Sequence, residues 1–151
     1  MNFQHHLETR VHIRASAAQV WTVLMDFEQY PQWNPFIRRR QGSVEPGQSL
    51  LVDVQPVGGR PMKFRPEVLT VQQAIEFRWL GKFLFKGLFD GEHYFKLEHA
   101  PNGVIFVHGE QFRGLLVPLF RRMLQQQTLP GFEAMNQALL DRAERFDRDH
   151  T

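Results

Sequence analysis

From Leu7 to Arg14 the chain alternates, with Leu7, Thr9, Val11 and Ile13 on one side and Glu8, Arg10, His12 and Arg14 on the other. A period of two predicts a half-buried strand. After Ser16 the period lengthens to that of a helix, and Val20, Trp21, Val23, Leu24 and Phe27 form its apolar stripe. Ser16 and Gln19 stand at the two positions of a capping box, which sets the helix start. A break is expected at Tyr30-Pro31, followed by a rigid turn over Trp33-Asn34-Pro35-Phe36.

Strand patterns bounded by turn residues then recur at 37–43, 49–55, 62–71, 75–80, 92–99 and 104–113. Past Gly114 the pattern turns helical again. Met123, Phe132, Met135, Leu139, Ala143 and Phe146 mark one face to the end of the chain, while Arg121, Arg122, Arg142 and Arg145 favour the other. Pro130-Gly131 falls inside this run and predicts a kink or short break. The order is strand, two short helices, six strands, long helix, with no repeat and no linker, so residues 1–151 read as a single domain. A run of antiparallel strands must bury one apolar face, and one long amphipathic helix can cover it. The fold expected is α+β: a seven-stranded curved antiparallel sheet around a long C-terminal helix.

Four segments carry a resemblance that spans nearly the whole chain. They are Ala17-Ala18-Gln19-Val20-Trp21, Tyr30-Pro31-Gln32-Trp33-Asn34-Pro35-Phe36-Ile37, Gly91-Glu92-His93-Tyr94-Phe95-Lys96-Leu97 and Glu110-Gln111-Phe112-Arg113-Gly114-Leu115-Leu116-Val117-Pro118-Leu119. In these the sequence resembles the SRPBCC superfamily, which includes START lipid-transfer domains, birch-pollen-allergen-like proteins, and the polyketide cyclase/dehydrase and carbon monoxide dehydrogenase-related branches. The resemblance implies a helix-grip fold that encloses an apolar ligand. It does not choose a ligand or a reaction, because carriers, receptors and enzymes share the scaffold. Two functions follow from it: a binder or carrier of a lipid, an isoprenoid quinone or an aromatic polyketide, and an aromatase/cyclase or dehydratase working on a bound polyketide.

Composition narrows this further. Cysteine is absent, which excludes disulfides, thiolate metal sites and a catalytic thiol. The net charge of +2 is spread along the chain, so no strong field draws nucleic acid. Arg38-Arg39-Arg40 is the densest basic run and reads as the solvated end of an edge strand rather than a phosphate patch. The N-terminus lacks a signal-peptide layout and no apolar run reaches the roughly 20 residues of a spanning helix, so the chain is read as soluble and cytoplasmic. Fourteen phenylalanines against two tyrosines point to dense aromatic packing or a greasy cavity.

The candidate chemistry depends on the last hairpin. With the turn centred on Asn102-Gly103, Pro101 pairs with Val104 and Leu97 faces His108. His93, Phe95, Leu97 and His99 then share the inner face with Phe106, His108, Glu110 and Phe112, while Tyr94, Lys96 and Glu98 face water. His93 and Glu110 become diagonal neighbours about 7–8 Å apart at the backbone. A carboxylate on an apolar wall is costly unless paired. Glu110, His93 and His108 are therefore the candidate polar cluster, and two roles stand: a structural pair, or an anchor and acid–base group for a ligand. The expected cavity lining adds Phe77, Trp79, Phe95, Phe106, Phe112, Phe132 and Met135. His93, His99, His108 and Glu110 suit no metal geometry, and no cofactor motif is present. Strand alternation puts the connections 56–61, 81–91 and 114–118 at one end as the mouth. Phe83, Leu84, Phe85, Leu88 and Phe89, with Leu115, Leu116 and Val117, either cap the core there or form a lid that touches a membrane or partner, where Lys82, Lys86, Arg121 and Arg122 suit anionic headgroups. The sequence does not address the oligomeric state.

Overall fold

The computed structural model describes residues 2–149. Its strands are β1 (Gln4–Ile13), β2 (Ile37–Gln41), β3 (Leu51–Val54), β4 (Met62–Phe64), β5 (Glu67–Gln72), β6 (Glu76–Lys82), β7 (Asp90–Ala100) and β8 (Gly103–Arg113). They form a five-stranded antiparallel sheet in the order β1-β8-β7-β6-β5 and a three-stranded one in the order β2-β3-β4. A bridge between Ser49 and Glu67 joins the two. Among the described residues eight strands thus stand where seven were expected. The strand expected over 62–71 is cut at Arg65-Pro66, because proline has no N–H for a ladder; the Pro66 carbonyl accepts from Leu50 N at 2.9 Å instead.

Helix α1 (Ala17–Met25) starts at Ser16, whose Oγ accepts from Gln19 N at 3.1 Å. It ends at Asp26, before the expected break. A 3₁₀ turn, Phe27–Gln29, leads into α2 (Tyr30–Trp33). Tyr30-Pro31 therefore opens a helix rather than ending one, since Pro31 occupies the first turn, where no amide donor is needed. Asn34 closes α2, and its Oδ1 accepts from Phe36 N and Ile37 N, both at 2.9 Å, to aim the chain into β2.

The C-terminal segment comprises α3 (Val117–Met123), a π turn over Leu124–Thr128 and α4 (Leu129–Asp149). The expected kink at Pro130-Gly131 is absent, and the irregularity lies one turn earlier. There Leu129 N bonds Leu124 O in the wider π pattern, just ahead of a proline whose ring would crowd the carbonyl four residues back. Gly131 serves packing: a Cβ there would overlap Phe36 Cδ1, so its absence lets that ring lie against the helix backbone. Phe132, Met135, Leu139 and Ala143 are fully buried at helical spacing, on a helix that packs over β1, β8 and α1.

The last hairpin turns at Pro101-Asn102, with Ala100 paired to Gly103 rather than Pro101 to Val104. Asn102 takes φ of 60°, as the third position of a type II turn requires after proline. A shift of two residues keeps every side chain on its expected face but changes its partner. Leu97 faces Phe106, Phe95 faces His108, and His93 faces Glu110 directly rather than diagonally. His99, beside the hairpin tip, is exposed instead of interior. Tyr94 is on the outer face as expected but is buried, because Arg78 and Lys96 lie over its ring and its hydroxyl bonds Glu8 and His6.

Candidate functional site

The site is built on β7 and β8, whose direct pairing brings Glu110 Oε1 to 2.9 Å from His93 Nδ1. The bond begins a chain. His93 Nε2 is 2.8 Å from His108 Nε2, and His108 Nδ1 is 2.9 Å from Asn136 Oδ1 on α4. Asn136 Nδ2 donates to Thr9 Oγ1 at 2.7 Å, and Thr9 donates to the His108 carbonyl at 3.0 Å.

That last bond sets the direction of all the others. A carbonyl can only accept, so the single Thr9 proton is committed and Thr9 must accept from the Asn136 amide. Asn136 Oδ1 then accepts from His108 Nδ1–H, which leaves the His108 Nε2 lone pair to accept from His93 Nε2–H. One proton remains between His93 Nδ1 and Glu110 Oε1. Burial decides where it sits. Desolvation raises the Glu110 carboxyl to about 8 and, aided by the Arg40 charge, lowers His93 to about 3. His108 is held well below its ordinary value by burial and by His93. Glu110 is therefore a neutral acid donating to a neutral imidazole.

Gly91 makes room for this acid. A Cβ at Gly91 would overlap Glu110 Oε2, so only glycine allows the carboxyl to lie over β7. Oε2 is left without a hydrogen-bond partner among the described residues.

Behind the site lies a buried cation. A register irregularity between Ile37 and Arg39 turns Ile37 and Arg40 to the same face, so the run read as solvated is divided. Arg38 donates to Asn34 and Pro31 carbonyls, Arg39 pairs with Asp53 at 3.3 Å, and Arg40 is only 1% exposed. Its guanidinium sits over Phe27 (3.8 Å), Tyr30 (4.6 Å), Phe77 (4.9 Å) and Trp79 (5.2 Å). Nη2 donates to the Leu24 carbonyl at 2.7 Å and to the Tyr30 hydroxyl. Burial lowers the Arg40 pKa to about 10 and raises Tyr30 to about 12, so the cation persists at neutral pH. Five rings offset its charge in place of a carboxylate. Trp79 stacks on His93 at 5.0 Å, and this connects the cage to the site.

A cavity of about 210 Å³ opens between the two sheets and the π turn. Of the residues expected to line it, Trp79, His93, Glu110 and Phe112 border it. Phe77, Phe95, Phe106, His108, Phe132 and Met135 do not. They are fully buried and packed ring against ring, as where Phe132 stacks on His108 at 4.1 Å and Phe95 on Phe106 at 5.9 Å. The void lies nearer the mouth, where Val52, Val54, Met62 and Phe64 of the small sheet form the facing wall. Thr128, presented by the π turn, and Lys82, exposed at the rim, add its other side-chain polar groups.

The three mouth connections meet. Val57 N bonds Gln127 O of the π turn at 3.1 Å, and Leu115 N and Leu116 N bond Gly87 O and Leu88 O at 3.1 and 3.0 Å. Phe83 and Phe89 border the cavity, Leu88 and Leu116 are half-buried, and Val117 is in the core. Leu84, Phe85 and Leu115 project into solvent at 79%, 59% and 65% exposure.

Sequence reasoning did not reach Arg40, Asn136, Thr9, Thr128 or Gly91. The one available signal was Asn136, a polar residue between Met135 and Leu139 on an otherwise apolar stripe.

A family model described as polyketide cyclase / dehydrase and lipid transport matches residues 4–145. No curated protein matches the sequence. Among solved structures, the di-domain ARO/CYC StfQ from the steffimycin biosynthetic pathway is similar over 99% of this chain at 12% identity and TM-score 0.75. This chain spans 53% of that protein's length. The ZhuI aromatase/cyclase from Streptomyces sp. R1128 is similar over 94% of both chains at 18% identity and TM-score 0.74. A START superfamily protein from Mycobacterium smegmatis is similar over 94% of this chain and 99% of its own, at 20% identity and TM-score 0.68. At these identities the likeness is one of fold. Among the described residues no helix is long and apolar enough to cross a membrane.

Proposed function

The chain belongs to the polyketide cyclase / dehydrase and lipid transport family, and from that premise we propose that it binds an apolar small molecule between its two sheets, with Glu110 holding the polar end. The observation that carries this reading is the cavity of about 210 Å³ walled by Ile37, Val52, Val54, Trp79 and Phe112, with a neutral carboxylic acid at its inner end. An apolar cavity of about 150 Å³ is enough to hold benzene, so the space suits a molecule of one or two rings.

The reading is tested by calorimetric titration with naphthalene. The natural chain should bind it, and Val52→Phe, which fills the wall from β3, should weaken binding at least tenfold while the protein stays folded. Equal affinity in the two proteins would place the ligand elsewhere.

A second reading, acid–base catalysis, is favoured by one observation. Glu110 has its pKa raised to about 8, so it holds a transferable proton at neutral pH. Such an acid could protonate a carbonyl or a departing hydroxyl of a bound polyketide. Stereochemically competent turnover of a cyclisable polyketide, lost by about 10²-fold in Glu110→Gln with binding retained, distinguishes this from carriage alone.

Entry is through the mouth. Leu84 and Phe85 are exposed and contribute little packing, and Lys82, Lys86 and Arg122 around them suit an anionic membrane surface during transfer. Replacing both Leu84 and Phe85 with serine is expected to speed exchange of a fluorescent apolar probe and weaken association with anionic vesicles, with almost no change in thermal midpoint. A large fall in midpoint with unchanged exchange would make the loop core packing.

A further inference from the structure

Resting on the binding reading, we infer that the bound molecule is a neutral one- or two-ring aromatic whose hydroxyl donates a hydrogen bond to Glu110 Oε2. The polarity of the hydrogen-bond chain leads there. Thr9 is committed to a backbone carbonyl, and every later link then has one allowed direction. The one proton between Glu110 and His93 lies on their shared axis, along Oε1 and Nδ1. Oε2 therefore carries no proton, whichever of the two residues holds it. It is an acceptor in both states.

The other polar valences of the site are closed. Both His93 ring nitrogens are engaged, and one ring face is stacked on Trp79. His108 lies behind the wall with both nitrogens occupied. A molecule reaching the inner end thus meets an acceptor with no adjacent donor, and a buried acceptor prefers O–H or N–H to another lone pair. A carboxylate or phosphate would set acceptor against acceptor there. Lys82 is the only Lys or Arg among the described residues bordering the cavity, and it stands at the exposed rim. An anionic group would remain at that rim.

The size of the cavity sets the other half of the inference. At about 210 Å³ it exceeds the roughly 150 Å³ that holds a single ring, and its walls are Trp79, Phe112 and the aliphatic face of β3. Flat aromatic ligands match such surfaces.

The test compares 2-naphthol, 2-methoxynaphthalene and 2-naphthoate at pH 6.5 by calorimetry. The methyl ether keeps the oxygen but loses the donor, and the naphthoate is anionic at this pH. The natural chain should bind 2-naphthol at least fivefold tighter than either of the others. Glu110→Gln should keep that preference, because its amide donates to His93 while its carbonyl takes the place of Oε2. Glu110→Leu should abolish it. Binding of 2-methoxynaphthalene or 2-naphthoate as tightly as 2-naphthol overturns the donor inference alone, since an apolar ligand is then still bound. Absence of binding by all three overturns the binding reading together with it. Loss of the preference in Glu110→Gln, in a protein that still folds and binds, would show that Oε2 is not the contact.

Discussion

Replacing Glu110 with glutamine is expected to leave the thermal midpoint near pH 6.5 almost unchanged and to remove the loss of stability that the natural chain undergoes between about pH 6.5 and 8. The sign follows from linkage. Glu110 has a folded pKa of about 8 against an ordinary 4.5, so its contribution is complete below 4.5 and is lost as pH rises through 8. His93 runs the other way. Its folded pKa of about 3 against 6.5 gives stability that is present above 6.5 and is lost as pH falls toward 3, and His108 shifts in the same direction. Below pH 6.5 two histidines outweigh one carboxyl and stability rises with pH. Above 6.5 Glu110 acts alone.

One proton over those 1.5 pH units corresponds to about 2 kcal/mol, or roughly 4–8 °C in midpoint for a chain of this length. Glutamine keeps the bond to His93 and cannot ionise. Subtracting the midpoints of the two proteins from pH 5 to 9 isolates the Glu110 contribution from every other titrating group. A difference that opens above pH 6.5 in favour of Glu110→Gln supports a neutral acid. A variant destabilised equally at all pH values would instead show a Glu110 carboxylate paired with a charged His93.

Phe132→Ala should cost about 3–5 kcal/mol, a fall of roughly 6–20 °C in midpoint. Phe132 is fully buried on α4, stacks on His108 at 4.1 Å, and meets Phe36 edge-on at 5.3 Å and His93 at 5.1 Å. No neighbour can fill its place without leaving these rings. The missing side chain removes the helix's grip on the imidazole pair, so naphthalene affinity should also change. A cost under about 1 kcal/mol, measured by denaturant unfolding, would mean that α4 is not seated on the sheet as described.

Much of this architecture was legible in the chain because period-two and helical patterns are local. Leu7 to Arg14 announced β1, and the inner face of β7 and β8 was assigned correctly even with the wrong turn, since a two-residue slip preserves parity. Partners were lost with the register. The direct pairing of His93 with Glu110 depended on whether Pro101-Asn102 or Asn102-Gly103 makes the turn, and Pro101 decided it by fitting the second position of a type II turn. Arg40 was not legible. Its inward direction comes from an irregularity in β2 that nothing in Arg38-Arg39-Arg40 reveals, and its burial is tolerated only because rings from α2, β6 and β7 close over it. The position of the cavity was hidden for a related reason. Inward-facing phenylalanines mark the core side of a sheet but not whether they pack together, and Phe77, Phe95 and Phe106 do pack, leaving the void beside the short strands of β2, β3 and β4.

The central claim is that this void receives an apolar molecule with its polar end at Glu110. Crystals soaked with 6-bromo-2-naphthol test it most directly, because the bromine can be located by its anomalous scattering. The prediction is a bromine peak between Val54 and Phe89, toward the mouth, with the ligand oxygen within hydrogen-bonding distance of Glu110 Oε2. A peak only on the outer surface, or a ligand whose oxygen points to the mouth while its bromine lies against Trp79, would contradict that claim.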